Sequence, residues 1–183
     1  MSTNKNSPQR RSLVKSIQRR KAKMLVKQLE QMKCAAIAAI MQTASLHEDA
    51  GELDAALLIY NAVLASDATH VLAHLGRGAI LMQQEVWAGS VAAFEAASRL
   101  DPKDALPHTY LGEVLDRSGQ QEAAALAWAV AERLDPIQTQ ICRDLISVSA
   151  HFRETGSPED IAAWDQLINQ AEDHMRSKQV FYG

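Results

Sequence analysis

Along most of this chain apolar side chains return every three or four residues. Ile141, Cys142, Leu145 and Val148 do so, as do Ile161, Trp164, Leu167, Ile168 and Ala171. That spacing puts each set on one face of a helix and predicts amphipathic helices. Residues 139–154 read as one of them. Ser157-Pro158-Glu159-Asp160 reads as the start of the next, with Ser as N-cap, Pro in the first helical position and acids in the first turn. Nearer the N-terminus, Leu13, Val14, Ile17, Met24, Leu25, Leu29 and Met32 form an irregular apolar stripe that predicts a helix from about Ser12 onward. Between these segments the pattern repeats outright. Arg99-Leu100-Asp101-Pro102 recurs as Arg133-Leu134-Asp135-Pro136, 34 residues later.

Three registers of that length follow without gaps: residues 37–70, 71–104 and 105–138. Their eighth positions are Ala44, Gly78 and Gly112, and their twentieth are Ala56, Ser90 and Ala124. Small residues recur where two helices touch closely. The twenty-fourth positions are Tyr60, Phe94 and Trp128, aromatic where a gap must be filled, and Asp67, Asp101 and Asp135 open the closing turn. Gly51 and Gly119 stand in the fifteenth position, where a helical hairpin must turn and a positive φ costs a glycine least. Period and position-dependent chemistry together resemble the tetratricopeptide repeat. The resemblance covers residues 37–138 and is weakest in the first unit, which has Ile40 and Ala68 where the family prefers a larger residue and Pro. It implies an all-α fold, a short superhelical solenoid of three helix hairpins. Around it the chain divides into a basic N-terminal arm (1–36), a degenerate fourth unit with capping helices (139–177) and a tail (178–183), in which apolar Val180-Phe181-Tyr182 either docks back or is disordered.

Charge is unevenly distributed. Residues 1–33 carry ten Lys and Arg against Glu30 alone, whereas the other 150 residues carry nine bases against 21 acids, which gives +9 and −12 and hence the net −3. Arg10, Arg11, Lys15, Arg19, Arg20, Lys21, Lys23 and Lys27 make this arm a candidate docking element for anionic membrane, nucleic acid or an acidic protein surface. It holds no aromatic side chain to stack on bases, which weighs against base-specific recognition. Pairing of two copies through the N-terminal helix is a further use. No apolar run reaches membrane-spanning length and no secretory h-region follows the basic start, so a cytoplasmic location is expected. Acid-free, Lys-, Arg- and Ser-rich composition also fits an organellar leader. Cys34 and Cys142 have neither disulfide-framework nor metal-type spacing, and both are expected to be buried thiols.

Chemistry is sparse. There is no phosphate-binding glycine loop, no HExxH and no nucleophile elbow. His70 and His74 share a helix face and His108 repeats His74, but no ordered thiol or acid is placed to complete a metal site, and position four of each unit is ordinarily filled for packing. Neither catalysis, a metal nor a cofactor is expected. The resemblance implies instead a concave face lined by the first helix of each unit. Carried over residue by residue, it comprises Met41, Gln42 and Ser45, then Leu72, Leu75, Ala79 and Met82, then Leu106, Thr109, Tyr110 and Glu113. Family members that grip the acidic C-terminus of heat-shock chaperones place Lys, Arg and Asn there. Met41, Leu75 and Thr109 stand in the fifth position here, so a carboxylate clamp is absent. An apolar groove suits an apolar protein segment. The chain is thereby similar to chaperones of type III secretion translocators. Its alternative reading is an assembly scaffold or adaptor that docks through the basic arm.

Overall fold

A computed structural model describes residues 8–155 and 157–182, and among these the chain forms eight α-helices and no strand. They are α1 (Pro8–Asp49), α2 (Leu53–Ser66), α3 (Val71–Gln83), α4 (Trp87–Leu100), α5 (Ala105–Arg117), α6 (Gln121–Leu134), α7 (Pro136–Thr155) and α8 (Pro158–Tyr182). The chain divides into two compact units, Met1–Ile59 and Tyr60–Gly183.

In the first unit α1 is continuous, so the arm from Pro8 onward and the first helix of the first repeat are one 42-residue helix. It ends in a turn that all three hairpins share. Glu52 N–H reaches the carbonyl of His47 at 2.8 Å, and Gly51 N–H that of Glu48 at 2.9 Å, closing the last helical turn around a residue at φ +75°. The same pair of bonds recurs as Val86 to Leu81 with Glu85 to Met82, and as Gln120 to Leu115 with Gly119 to Asp116. Gly119 sits at φ +82°. The middle hairpin makes the turn with Glu85 at φ +59°, a left-handed conformation in which an L side chain crowds the following carbonyl.

In the second unit α3 packs on α4, α4 on α5, α5 on α6, α7 on both α5 and α6, and α8 on α7. The spacing within each hairpin is set by a glycine under an aromatic ring. The Phe94 ring covers Gly78 so closely that a Cβ there would lie 2.7 Å from Phe94 Cε1, and Trp128 covers Gly112 more tightly still. Tyr60 covers Gly76 in the same manner, between consecutive repeats. Beside the first contact, the buried Ser90 hydroxyl donates to the Gly78 carbonyl at 2.8 Å, satisfying its one buried polar group across the hairpin. Leu75, Met82, Phe94, Ala97 and Val114 form the adjoining core.

After the third repeat the spacing changes. Asp101 accepts from Lys103 N–H and leaves a short loop before Asp104 caps α5 through Leu106 N–H at 3.0 Å. Asp135 instead accepts from Gln138 N–H at 2.9 Å, and α7 starts at Pro136, three residues before the expected 139. Asp in the N-cap position and Pro in the first helical position are a complete start signal, so no loop is needed. Gln138 then donates to Asp104 at 3.2 Å, bonding positions one repeat apart. The backbone of α8 is helical through Tyr182, where a tail was expected from 178. The expected docking of Val180-Phe181-Tyr182 concerns side chains outside the described residues, as does the helix break at Gly156.

Two substitutions test this packing. Gly112→Leu is expected to lower stability by about 3 kcal/mol because neither Trp128 nor the α5 backbone can move aside. An unchanged melting temperature would contradict the repeat register. Glu85→Gly is expected to raise stability by about 1 kcal/mol by relieving the left-handed strain, measured by urea unfolding.

Candidate functional site

The first-helix face of the second unit is built on α3 and α5. Of the side chains expected there, Leu72 is 61% exposed, whereas Leu106, Ala79, Tyr110 and Glu113 are half-buried. Leu75, Met82 and Thr109 are core residues. Leu75 and Met82 are buried against Phe94 and Val114, and the Thr109 hydroxyl is turned back to donate to the Ala105 carbonyl at 3.0 Å. These three leave little for a partner to touch. Tyr110 is partly committed too: its ring stacks on Phe94 with centroids 5.2 Å apart and planes 7° from parallel. In the first unit Met41 is half-buried, and Gln42 and Ser45 are exposed.

The electrostatics of this face are quiet. Glu113 is held by Arg117 one turn on, Nε to Oε1 at 2.5 Å, in a partly buried pair. Burial raises the Cys142 thiol to about 12, against the opposing hydrogen bond from the Tyr110 hydroxyl, so it stays protonated and unreactive. Cys34 is exposed, contrary to the expectation that both thiols are buried. It lies on a stretch of α1, residues 18–36, every one of which is exposed, so no core is there to receive it.

His70 and His74 have structural partners. His70 caps α3, its Nδ1 accepting from Ala73 N–H at 3.1 Å, and His74 Nε2 donates to the Ala68 carbonyl at 3.0 Å. Burial lowers His108 below its usual value, with Asp104 opposing, which suits a neutral packing imidazole. Among the described residues no group of three or more His, Cys, Asp or Glu is placed to hold a metal. Nor is any described helix long and apolar enough to cross a membrane. Of the basic arm, Arg19, Arg20, Lys21, Lys23 and Lys27 are exposed on α1; the side chains of Arg10, Arg11 and Lys15 lie outside the described residues.

The sequence reading missed one charged cluster. Asp135, 6% exposed, accepts from His174 Nε2 at 2.8 Å and pairs with Lys178, both from α8. Burial would raise its carboxyl, but the Gln138 N–H, His174 and Lys178 outweigh that and hold it at about 2. The signal available in sequence was the i, i+4 spacing of His174 and Lys178 on a helix whose partner was not yet known. Arg143 of α7 adds a second tie, its guanidinium 4.7 Å from the centre of the Trp128 ring.

No family model matches the chain. It is 33% identical over 81 residues to a probable UDP-N-acetylglucosamine–peptide N-acetylglucosaminyltransferase SPINDLY of Hordeum vulgare, a match spanning 44% of this chain and 9% of that protein. Among solved structures it is similar to an O-GlcNAc transferase of Thermobaculum terrenum (24% identity, TM-score 0.55, 59% of this chain and 21% of that one). It is also similar to the type III secretion chaperone SycD of Yersinia enterocolitica in complex with a peptide of the translocator YopD (15% identity, TM-score 0.53, 74% of this chain and 95% of that one). The chain therefore spans under a tenth of the curated relative and about a fifth of the transferase structure. With the period, the hairpins and these likenesses together, the fold is a tetratricopeptide-repeat array.

The Asp135 cluster has a pH signature. Its folded value lies below the unfolded 3.8, so its contribution of about 2 kcal/mol is present above pH 4 and lost as pH falls towards 2. Asp135→Asn is expected to lower stability by about that amount at neutral pH and to converge with the wild type near pH 2, followed by urea unfolding across pH. A thiol reagent should titrate one cysteine, Cys34, in the native protein and two after unfolding.

Proposed function

We propose that this chain is a non-enzymatic protein-binding module that holds an apolar segment of a partner against the first-helix face of its repeats. The observation that carries the reading is Leu72, a large apolar side chain left 61% exposed on α3 while the equivalent Leu106 is half-buried on α5. Ala79, Tyr110 and Glu113 complete that face in the second unit, with Met41, Gln42 and Ser45 as the corresponding set in the first. Support comes from the likeness to a translocator chaperone solved with a peptide of its translocator. On this reading the chain is a cytoplasmic chaperone that keeps such segments of secreted proteins soluble. Leu75, Met82 and Thr109 support the face from beneath rather than touch the partner.

A second reading is favoured by the exposure of residues 18–36: a scaffold that docks on an anionic or acidic surface through Arg19, Arg20, Lys21, Lys23 and Lys27. Full-length variants separate the two. A partner captured from the native source should survive high salt and Lys23→Glu/Lys27→Glu. Leu72→Glu should weaken it by about 30-fold, the loss expected of a central apolar contact, with the melting temperature unchanged. Loss with salt or with the arm variant, and retention by Leu72→Glu, would favour docking through the arm instead.

A further inference from the structure

The apolar stripe on α1, irregular when counted from Leu13, becomes regular further along. Ala22, Leu25, Leu29, Met32, Ala36, Ala39 and Leu46, with the one polar member Thr43, follow one another at alternating intervals of three and four. All eight are exposed: Leu25 is 59%, Leu29 64%, Met32 68% and Leu46 62% accessible. Such spacing is the seam of a two-stranded coiled coil. It differs from the partner face proposed above, which uses Met41, Gln42 and Ser45 on the same helix. The helix has reason to want company. Arg19, Lys23 and Lys27 succeed one another at intervals of four, so like charges are stacked along one side of a segment that buries nothing.

We infer that this seam pairs with the seam of a second copy of the chain, antiparallel, about a two-fold axis beside residue 34. The order of side chains decides both partner and direction. In that arrangement each position meets the one whose number completes a sum of 68. Ala22 faces Leu46 of the second copy, Leu25 faces Thr43, Leu29 faces Ala39 and Met32 faces Ala36. Every layer joins a large residue to a smaller one, so the two helices keep an even separation along the seam. A two-fold axis demands this reciprocity, in which each residue meets the one that meets it. A parallel pair would stack Leu25, Leu29 and Met32 on themselves at one end and Ala36 and Ala39 at the other, leaving the helices splayed.

Charge favours the same direction. Residues 19–33 hold six bases and Glu30, whereas residues 34–49 hold no Lys or Arg and end in Glu48 and Asp49. Antiparallel pairing lays the basic half of each helix along the base-free half of the other and brings Lys21 beside Asp49. Val26 and Ile40, 58% and 44% exposed, extend the apolar contact along one flank. Lys33 approaches its own copy near the axis, a rim contact that salt screens within about 8 Å.

The test uses the full chain. Sedimentation equilibrium should give a dimer, and Leu29→Glu/Met32→Glu should raise its dissociation constant by about 100-fold or more while the far-ultraviolet helix signal is retained, since both side chains are exposed. Direction is read by oxidative crosslinking in a Cys34→Ser background. Leu25→Cys with Thr43→Cys should link two copies, whereas Leu25→Cys alone should not, because its two copies would stand about 27 Å apart along the helix. A monomer throughout the micromolar range, or a dimer indifferent to the double substitution, would overturn the pairing. Crosslinking by Leu25→Cys alone would overturn its direction.

Discussion

The closeness of two helices in a hairpin is the constraint on which the repeat array depends. Phe94 lies over Gly78 and Trp128 over Gly112 with no room for a Cβ, so each aromatic ring fills the space that a side chain on the facing helix would occupy. A larger residue would push the helices apart, and a smaller ring would leave a cavity. Because the pair recurs at the same two positions, consecutive hairpins have nearly the same cross-section. They can then stack, burying Leu75, Met82, Phe94, Ala97 and Val114 between them. A single hairpin could not bury that apolar surface by itself.

The turns and the helix starts follow from local chemistry and hold the same register. Each hairpin turns on a left-handed residue in the fifteenth position, glycine twice and Glu85 once. Each repeat closes on an Asp whose side chain accepts a main-chain N–H: Asp67 from Thr69, Asp101 from Lys103, Asp135 from Gln138. The last of these also gathers His174 and Lys178 from α8. A residue that merely starts a turn in the first two repeats thereby becomes, in the third, the anchor of a helix packed on α7. Its lowered pKa reflects the combined pull of those partners against the cost of burying a carboxylate.

Two surfaces of opposite character emerge. On α3 and α5 the exposed apolar area is modest and rests on the buried core, with Glu113 paired to Arg117. That is the surface a partner segment would meet under the proposed function. On residues 18–36 of α1 the apolar side chains are prominent, exposed and edged by lysines and arginines with no core beneath. A packed face can bind a guest without itself rearranging. An isolated helix gains most from another helix, which shields its apolar stripe and dilutes its own like charges.

By itself the sequence determined whatever depends on neighbours along the chain. The helical periodicity, the 34-residue interval, the positive-φ positions Gly51 and Gly119 and the small and aromatic partners were all readable, because backbone preference and repetition are written locally. Tertiary structure alone decided which side chains on a helical face remain available. Leu72 and Leu75 are equally apolar and three positions apart, yet Leu72 is exposed and Leu75 buried, since burial depends on where α4 and α5 lie rather than on α3. Likewise Cys34 is exposed and Cys142 buried, though nothing local separates the two thiols. Asp135 meets His174 across 39 positions only because α8 returns along α7, a contact that no local pattern encodes.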